Sequence, residues 1–383
     1  LTLSGAVLAL AAVVGATVRC WQWCLFAAGL VSVAWHARFA PGAAQDHLTL
    51  GASWAAAMSA CVALAAAARF ASVTRLAAAL LFGSIAFFAL KAGVQVFVEN
   101  PQTIEMFKAN REAMLAAQGW TPDSFAAKAF ERRLFDAPGT GWLGLSNVLA
   151  TAGACGAVAS IALIACGEAR RLGVVAGALA SLAVLYFAAS KGGWAATALG
   201  IGVLAVWPQA ARMRYGSVVV LVAMPLAALA AVAARGVVGE RLGELSLLFR
   251  SQYLAAAIRI ISEHPLAGVG PAGFKDAYLL AKSPLSPEEI SSPHSVFFDF
   301  AATLGLGGIA WSVLLLSMLA AAGRIEVARP HEAAAERLID RFVLLTLALA
   351  TIAASWVELE VTSPSNVLVR IGGLVLAAVI GLA

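Results

Sequence analysis

The stretch from Phe249 to Gly308 carries residue types that could bind and activate a charged substrate. It holds Arg250 and Tyr253 near its start, a glycine-rich turn, Gly268-Val-Gly270, in its middle, and Pro293-His294 near its end. An arginine holds anionic oxygens through charge-assisted hydrogen bonds. A histidine titrates near neutral pH and can act as a general base. The order of these residues predicts a site that binds an anion and moves a proton.

Each of these features also has a structural explanation. Gly268 and Gly270 could form a simple turn after Pro265, which ends the helical pattern before it. Their spacing fits neither a P-loop nor a dinucleotide fingerprint. A histidine at a membrane boundary is often an interfacial residue or a cap. The arginine and the glycine turn in the same stretch favour the chemical interpretation of His294.

Two lysines outside this stretch could also bind an anion. Lys191 lies in a tight turn, Ser190-Lys191-Gly192-Gly193, between two apolar segments. Such a lysine either holds a phosphate or extends its ammonium to the membrane surface. Lys91 lies near the middle of an apolar segment, where a charge is costly and indicates a function. The sequence does not identify a partner for Lys91.

The composition requires that these residues be positioned by membrane helices. The 383 residues are 61% hydrophobic and only 12% charged, whereas a soluble domain carries about 25% charged residues. Long apolar runs rich in Ala, Leu and Val favour helices over a barrel of short alternating strands. The expected fold is an all-α, polytopic transmembrane bundle of about eleven spans, forming a single domain over residues 1–383. The predicted spans include residues 3–18, 76–98, 296–322 and 342–357. Short amphipathic helices are predicted at 110–118 and 124–134.

The basic residues predict the orientation of this bundle. Most short loops with Arg fall on one side of the predicted spans, which the positive-inside rule assigns to the cytoplasm. The net charge of +5 is explained in this way, and no basic-aromatic module for nucleic acid is visible. Residues 99–142, the Lys191 turn and residues 235–295 then fall on the opposite side. We expect 99–142 and 235–295 to be extracytoplasmic loops, the second carrying the active site.

Several motifs of other enzyme classes are missing from the sequence. It contains no Asp-x-Asp, no Walker motif, no Gly-x-Ser-x-Gly and no His-Glu-x-x-His. These are the signatures of metal-nucleotide, ATP-dependent, serine-hydrolase and zinc-dependent chemistry. We therefore expect neither a metal nor a cofactor.

The ordered motifs resemble the O-antigen ligase and O-antigen polymerase superfamily. Arg250-x-x-Tyr253, Pro265-Leu-x-Gly268-Val-Gly270, Pro293-His294 and the sequence Leu-Gly-Leu-Gly-Gly that ends at Gly308 follow one another as in that family. Upstream, Arg133 with Gly141 and Asn147 resembles another family segment, and Ser190-Lys191-Gly192 resembles its Ser-Arg-Gly turn. The chain departs from the family pattern at Lys191, where the family has Arg, and at Ser295, where it often has Asn.

This resemblance implies a GT-C-like membrane glycosyltransferase in the bacterial inner membrane. Its donor would be an undecaprenyl-diphosphate-linked glycan, and its acceptor a hydroxyl of a lipid, glycan or protein on the periplasmic or outer side. Lys191 and Arg250 would hold the diphosphate, and Arg133 would bind diphosphate or sugar. Tyr253, Gly268 and Gly270 would lie against the substrate. His294 would take the acceptor proton, and the transfer would be metal-independent and inverting.

Two other functions remain open at this point. A transporter or flippase of lipid-linked or anionic substrates would need ionisable residues along a path through the membrane. Lys91 and Arg370 are candidates for such a path. A non-catalytic membrane assembly protein could keep the fold with an inactive site. The motifs also leave open whether an enzyme of this kind is a ligase, a polymerase or a protein O-oligosaccharyltransferase.

Overall fold

The computed structural model describes most of the 383-residue chain. The described residues are 19–39, 44–67, 71–168, 172–213, 215–216, 219–220, 222–223, 226–227, 230–231, 234, 245–284, 286, 288–322 and 364–382. All seven residues predicted to form the site lie in these ranges. Two predicted spans, residues 3–18 and 342–357, lie outside them, as do residues 235–244 of the predicted second loop.

The regular structure of the described residues is helical, with no β-strand. Apolar runs favour helices in lipid because a helix satisfies its own backbone hydrogen bonds. The all-α prediction is confirmed. In chain order the helices are α1 (Cys20–Phe39), α2 (Ala44–Ala67), α3 (Ala71–Val94), α4 (Asn100–Ala109), α5 (Arg111–Ala117), α6 (Phe125–Phe135), α7 (Ser146–Leu163), α8 (Leu172–Ala188), α9 (Lys191–Arg212), α10 (Leu245–Glu263), α11 (Phe274–Ala281), α12 (Val296–Leu304), α13 (Leu306–Ala322) and α14 (Pro364–Leu382).

Three helical stretches of the described chain are long and apolar enough to cross a membrane. They are Ala44–Ala65, Ala77–Ala109 and Ser146–Ala165. Shorter apolar stretches of 10–17 residues occur at Leu172–Ala188, Leu306–Ala321 and Leu368–Ala377. These helices support an integral membrane protein. The larger number of about eleven spans and the extracytoplasmic placement of the loops remain predictions.

The chain forms two compact units. The first unit comprises Leu1–Phe70 and Trp207–Ala328, and the second comprises Ala71–Val206 and Arg329–Ala383. Arg250, Tyr253, Gly268, Gly270 and His294 belong to the first unit. Lys191 and Arg133 belong to the second. The single membrane domain stays a prediction.

In the first unit, α1, α2 and α13 pack around a buried aromatic core. Trp311 is fully buried, and its indole Nε1 donates to the carbonyl of Phe26 at 3.0 Å. Its ring also meets Phe300 of α12 edge-on, with ring centroids 5.5 Å apart. This core anchors α12, the helix that follows His294 in sequence.

The apolar run from residue 296 to 322 is divided at Gly305. The sequence predicted one continuous span there, and the structure instead forms α12 and α13. Gly305 has φ 56°, in the half of backbone space that favours glycine. The break frees the Leu306 N–H, which donates to the carbonyl of Leu266 at 3.0 Å. The loop after α10 is therefore bonded to the junction of α12 and α13.

In the second unit, α3, α7 and α8 share a buried core. Ile85, Leu149, Val184 and Leu185 lie at its centre, and α14 packs against α3. The helix α3 does not end where the span was predicted to end. A π-helical turn, Gln95–Glu99, joins it to α4, so the helix continues to Ala109.

The rest of the 99–142 segment folds into a small helical cap. The sequence predicted short amphipathic helices at 110–118 and 124–134, and α5 and α6 confirm both. Phe107 of α4, Leu115 of α5 and Ala127 of α6 form a buried core. The Ser124 hydroxyl caps α6 by accepting the Ala127 N–H at 3.2 Å, which is the usual role of serine at a helix start.

Candidate active site

Helix α10 places Arg250 and Tyr253 one helical turn apart on the same face. Tyr253 is buried, with 5% of its surface exposed. Its ring centroid lies 6.1 Å from that of Tyr278 and 5.9 Å from that of His294. Tyr253 thus forms part of the floor beneath His294. Its predicted contact with substrate remains a prediction, and its position also suits a supporting role.

A second aromatic layer fixes the position of Tyr253. Tyr278 on α11 is fully buried, stacks on Phe274 at a centroid distance of 6.0 Å, and shares a hydrogen bond of 3.1 Å with Ser286 Oγ. Arg259 Nη1 donates to the carbonyl of Ala281 at 2.8 Å, which ties α10 to the end of α11.

The glycine turn packs against the protein's own backbone. Val269 N–H donates to the Ala302 carbonyl at 3.0 Å, and Gly270 N–H donates to the Thr303 carbonyl at 2.8 Å. Gly268 and Gly270 have φ 72° and 90°. These contacts explain both glycines by the turn itself. Their predicted contact with substrate stays a prediction.

Two buried histidines hold the other side of this turn. His36, near the end of α1, contacts the Ala267 carbonyl through Nε2 at 2.6 Å. His47, near the start of α2, accepts the Ala272 N–H through Nδ1 at 3.3 Å. A Cβ added at Gly270 would lie 2.6 Å from His47 Nδ1. The sequence interpretation did not assign these histidines a role, because nothing in their local pattern connects them with a turn more than 200 positions away.

His294 stands in a strained backbone conformation at the end of the loop. Its φ is 56°, and among the described non-glycine residues only Ala189, with φ 47°, also has a positive φ. Its N–H donates to Ser292 Oγ at 3.1 Å. Bulky residues rarely adopt this conformation without a functional or structural reason. The side chain is accessible to solvent, with the Tyr253 ring beside it.

Burial and a neighbouring positive charge lower the pKa of the His294 imidazole. Loss of hydration is the largest cause of a pKa below the ordinary histidine value, and the positive charge of Arg250 acts in the same direction. The carboxylate of Glu288 opposes them and raises the pKa. A neutral imidazole can accept a proton. The half-buried Arg250 beside it can hold an anion.

In the second unit, Lys191 is the first residue of α9 and is exposed. Ser190 before it is buried, donates to Asn147 Oδ1 at 2.9 Å and accepts the Gly193 N–H at 3.3 Å. The chain turns one step earlier than the predicted Ser190-Lys191-Gly192-Gly193 turn, at Ala189 and Ser190, because Lys191, Gly192 and Gly193 already belong to α9. A cation at a helix N-terminus adds to the positive end of the helix dipole, and both favour an anion.

Arg133 lies near the end of α6 and is exposed. The loop after α6 is bonded to the segment that leads to the Lys191 turn, since Gly139 N–H donates to the Phe187 carbonyl at 2.8 Å. Gln95 Oε1 accepts the N–H groups of Thr140 and Gly141 at 2.7 and 3.0 Å. The Arg133 loop and the Lys191 turn are therefore connected within this unit.

Lys91 has the partner that the sequence could not identify. Its ammonium lies 2.5 Å from Glu99 Oε1, and 7% of its side chain is exposed against 34% for Glu99. It also lies over the Trp142 ring, 4.7 Å from the centroid. The π-helical turn between the two charges adds a residue to the helix, and such turns often occur at functional positions.

These features define an integral membrane protein. In its first unit, the exposed His294 lies beside Tyr253, and the charge of Arg250 acts on its imidazole. Residues 176–322 match the family model described as O-antigen ligase. The match covers less than half of the chain and supports the resemblance to the O-antigen ligase and O-antigen polymerase superfamily, whose activity is of the glycosyltransferase type. Lys191, Arg250 and His294 lie within the match and Arg133 lies before it. Neither a curated protein nor a solved structure gives a significant match.

Proposed function

We propose that the protein transfers a glycan from an undecaprenyl-diphosphate-linked donor to an acceptor hydroxyl, without a metal and with inversion. The observation that carries this proposal is the meeting of Arg250, Tyr253 and His294 in the first unit, within the residues that match the O-antigen ligase family. We place the reaction on the periplasmic or outer face of the bacterial inner membrane.

His294 acts as the general base in this reaction. Its neutral imidazole takes the proton from the acceptor hydroxyl, whose oxygen forms a bond to the anomeric carbon. The bond from that carbon to the diphosphate oxygen breaks, and its electron pair remains on the diphosphate. The lowered pKa of His294 supports this role, because it keeps the base free of a proton at neutral pH.

Cationic side chains bind the diphosphate and stabilise the charge that develops on it. The half-buried guanidinium of Arg250 is suited to this, since no ion pair or hydrogen bond engages it within the described part of the chain. The exposed ammonium of Lys191 is suited to bind an anion, because it lies at the positive end of the α9 dipole. Arg133 contributes a further exposed cation for diphosphate or sugar.

The test is glycan transfer by the full chain in lipid nanodiscs, with EDTA present throughout. The donor is a pool of bacterial lipid-diphosphate glycans, and released undecaprenyl diphosphate is measured. We expect His294→Ala to lower the rate by about 100-fold or more, the usual contribution of a general base. Arg250→Ala should lose about 100-fold as well, through the leaving group. Lys275→Ala, which removes an exposed cation that pairs with Glu289, is the matched control and should keep wild-type activity.

The same assay separates the alternatives. If His294→Ala and Arg250→Ala are both as active as wild type, the proposed site at these two residues is rejected. Transport of donor without release of undecaprenyl diphosphate would favour the flippase. In sealed right-side-out vesicles, an acceptor added outside should be glycosylated. The identity of the product distinguishes a ligase, a polymerase and a protein O-oligosaccharyltransferase.

A further inference from the structure

We propose that Ser292 and Asp299 form a clasp that fixes the backbone of His294 and so aims its imidazole. Both are positioning residues for the general base, and this inference rests on the proposed function. Nothing in the motif order pointed to either residue. The clasp follows from two hydrogen bonds and one unusual backbone angle.

The first observation is the conformation of His294 itself. Its φ of 56° is disfavoured for an L-residue with a side chain, so the surrounding contacts must hold it. Pro293 before it has a fixed φ and no N–H to contribute. The His294 N–H makes the hydrogen bond that Pro293 cannot make, and it donates to Ser292 Oγ at 3.1 Å.

The second observation is the direction of the Ser292 hydroxyl. A serine hydroxyl has one proton to donate and two lone pairs to accept with. Ser292 Oγ donates its proton to Asp299 Oδ2 at 2.5 Å. With the proton committed to the carboxylate, a lone pair of the same oxygen is turned toward the His294 N–H. Asp299 thereby sets the orientation of the acceptor that holds the histidine backbone.

The third observation is that Asp299 is on a rigid element. It lies in the first turn of α12. Its own N–H donates to the Ser295 carbonyl at 2.8 Å, and the Thr303 hydroxyl donates to its carbonyl at 2.5 Å. The clasp thus connects a loop residue to a helix that is anchored in the core of the first unit.

The consequence is a defined place for the imidazole. The ring is held at 57° to the Tyr253 ring and within the electric field of Arg250 and Glu288. A general base works only when its nitrogen points at the proton it removes. Without the clasp, the His294 backbone can leave the left-handed region, and the ring turns away from this position.

The experiment combines Ser292→Ala and Asp299→Ala with the conservative variants Ser292→Thr and Asp299→Asn. Thr keeps the hydroxyl, and Asn keeps an oxygen that accepts its proton. Two readouts are taken on the full chain in nanodiscs. One is glycan transfer. The other is modification of His294 by diethyl pyrocarbonate between pH 5 and 8, followed by peptide mass spectrometry. The exposed His264 is the internal reference for the second readout.

We expect both alanine variants to lower kcat about 10-fold or more, because a small misplacement of a reacting group costs up to about 100-fold. The KM for donor should change less than about twofold, since Arg250 is intact. The midpoint of His294 modification should rise and its rate increase, because the released imidazole is better hydrated and farther from Arg250. Ser292→Thr and Asp299→Asn should restore both readouts. Adding Ser292→Ala to His294→Ala should cause no further loss of transfer.

Several results would overturn the clasp. Unchanged modification of His294 in both alanine variants would show that neither residue holds it. Altered modification with wild-type transfer would show that the orientation is irrelevant to the reaction. A further loss in the His294→Ala background would assign Ser292 a role independent of the histidine. If the wild type transfers nothing, the proposed function fails, and the modification readout still decides the clasp.

Discussion

The imidazole of His294 lies between opposing charges, and the balance of these charges decides the pH at which it can act. Burial and Arg250 lower the pKa of this group, and Glu288 raises it. A base must be unprotonated to react. Activity therefore falls on the acid side as the pH drops through the lowered pKa of His294.

The substitution Glu288→Gln should move this acid limb to lower pH. Removing the negative charge removes the contribution that raises the pKa, so the imidazole stays neutral further into the acid range. The measurement is the pH profile of kcat/KM, which reports the free enzyme. Glu289→Gln is the matched control, since its carboxylate pairs with Lys275 and is absent from the causes of the His294 shift. A limb that stays in place or moves to higher pH would contradict the prediction.

The sequence allowed only part of this site to be predicted. Arg250, Tyr253 and His294 could be named because their types and order were informative without coordinates. Ser292 and Asp299 could not, because Asp299 was assigned to a span, and the hydropathy pattern does not show that its carboxylate bonds the Ser292 hydroxyl. His36 could not either, since its carbonyl partner is 231 positions away. Local patterns contain no information about such long-range contacts.

At the level of elements, the break between α12 and α13 holds the glycine turn in place. Gly305 adopts φ 56°, and a Cβ there would collide with the backbone of Leu266 and Ala267. The same junction provides the N–H and carbonyl groups to which the 264–273 loop is bonded. The position of the loop against the end of α12 thus depends on one glycine.

The substitution Gly305→Ala should destabilise the protein by about 1–3 kcal/mol, the cost of a residue forced into a sparsely populated backbone region. It should also reduce transfer, because the loop and α12 shift together. Thermal unfolding in nanodiscs measures the first effect. Gly202→Ala is the control. It lies inside α9 with open space where the Cβ would go, and should be neutral or stabilising by up to about 1 kcal/mol. Equal unfolding temperatures for Gly305→Ala and wild type would reject this role of the break.

The short helices α5 and α6 could be predicted because their amphipathic period is a local property of the sequence. The division of residues 296–322 could not. A glycine within an apolar run is compatible with a continuous membrane helix, and only the Leu266 carbonyl, forty residues earlier in the chain, accounts for the break. Hydropathy reports which residues avoid water and does not report which backbone groups are bonded to another segment.

At the scale of the whole molecule, composition was sufficient for the class and insufficient for the count of spans. A chain with 12% charged residues had to be an apolar helical protein. The ends of its helices depended on contacts that composition does not contain. The helix from Ala77 continues to Ala109 through a π-helical turn. The Lys91–Glu99 pair therefore lies within a helix that was expected to end near it.

Substitutions in the Lys91–Glu99 pair can distinguish an enzyme from a transporter. Removing one partner of a fully buried pair costs about 3–5 kcal/mol. Lys91→Met leaves a Glu99 that is one-third exposed and can be hydrated, so its cost should fall well below that range. Glu99→Gln leaves the ammonium of a nearly buried lysine without this carboxylate, so it should lower the unfolding temperature more than Lys91→Met does.

If the pair is structural, folded Lys91→Met protein should transfer glycan at nearly the wild-type rate. If Lys91 lies on a transport path, the Lys91→Met protein should stay folded and lose substrate movement across the membrane. That result would reject the glycosyltransferase and favour a flippase.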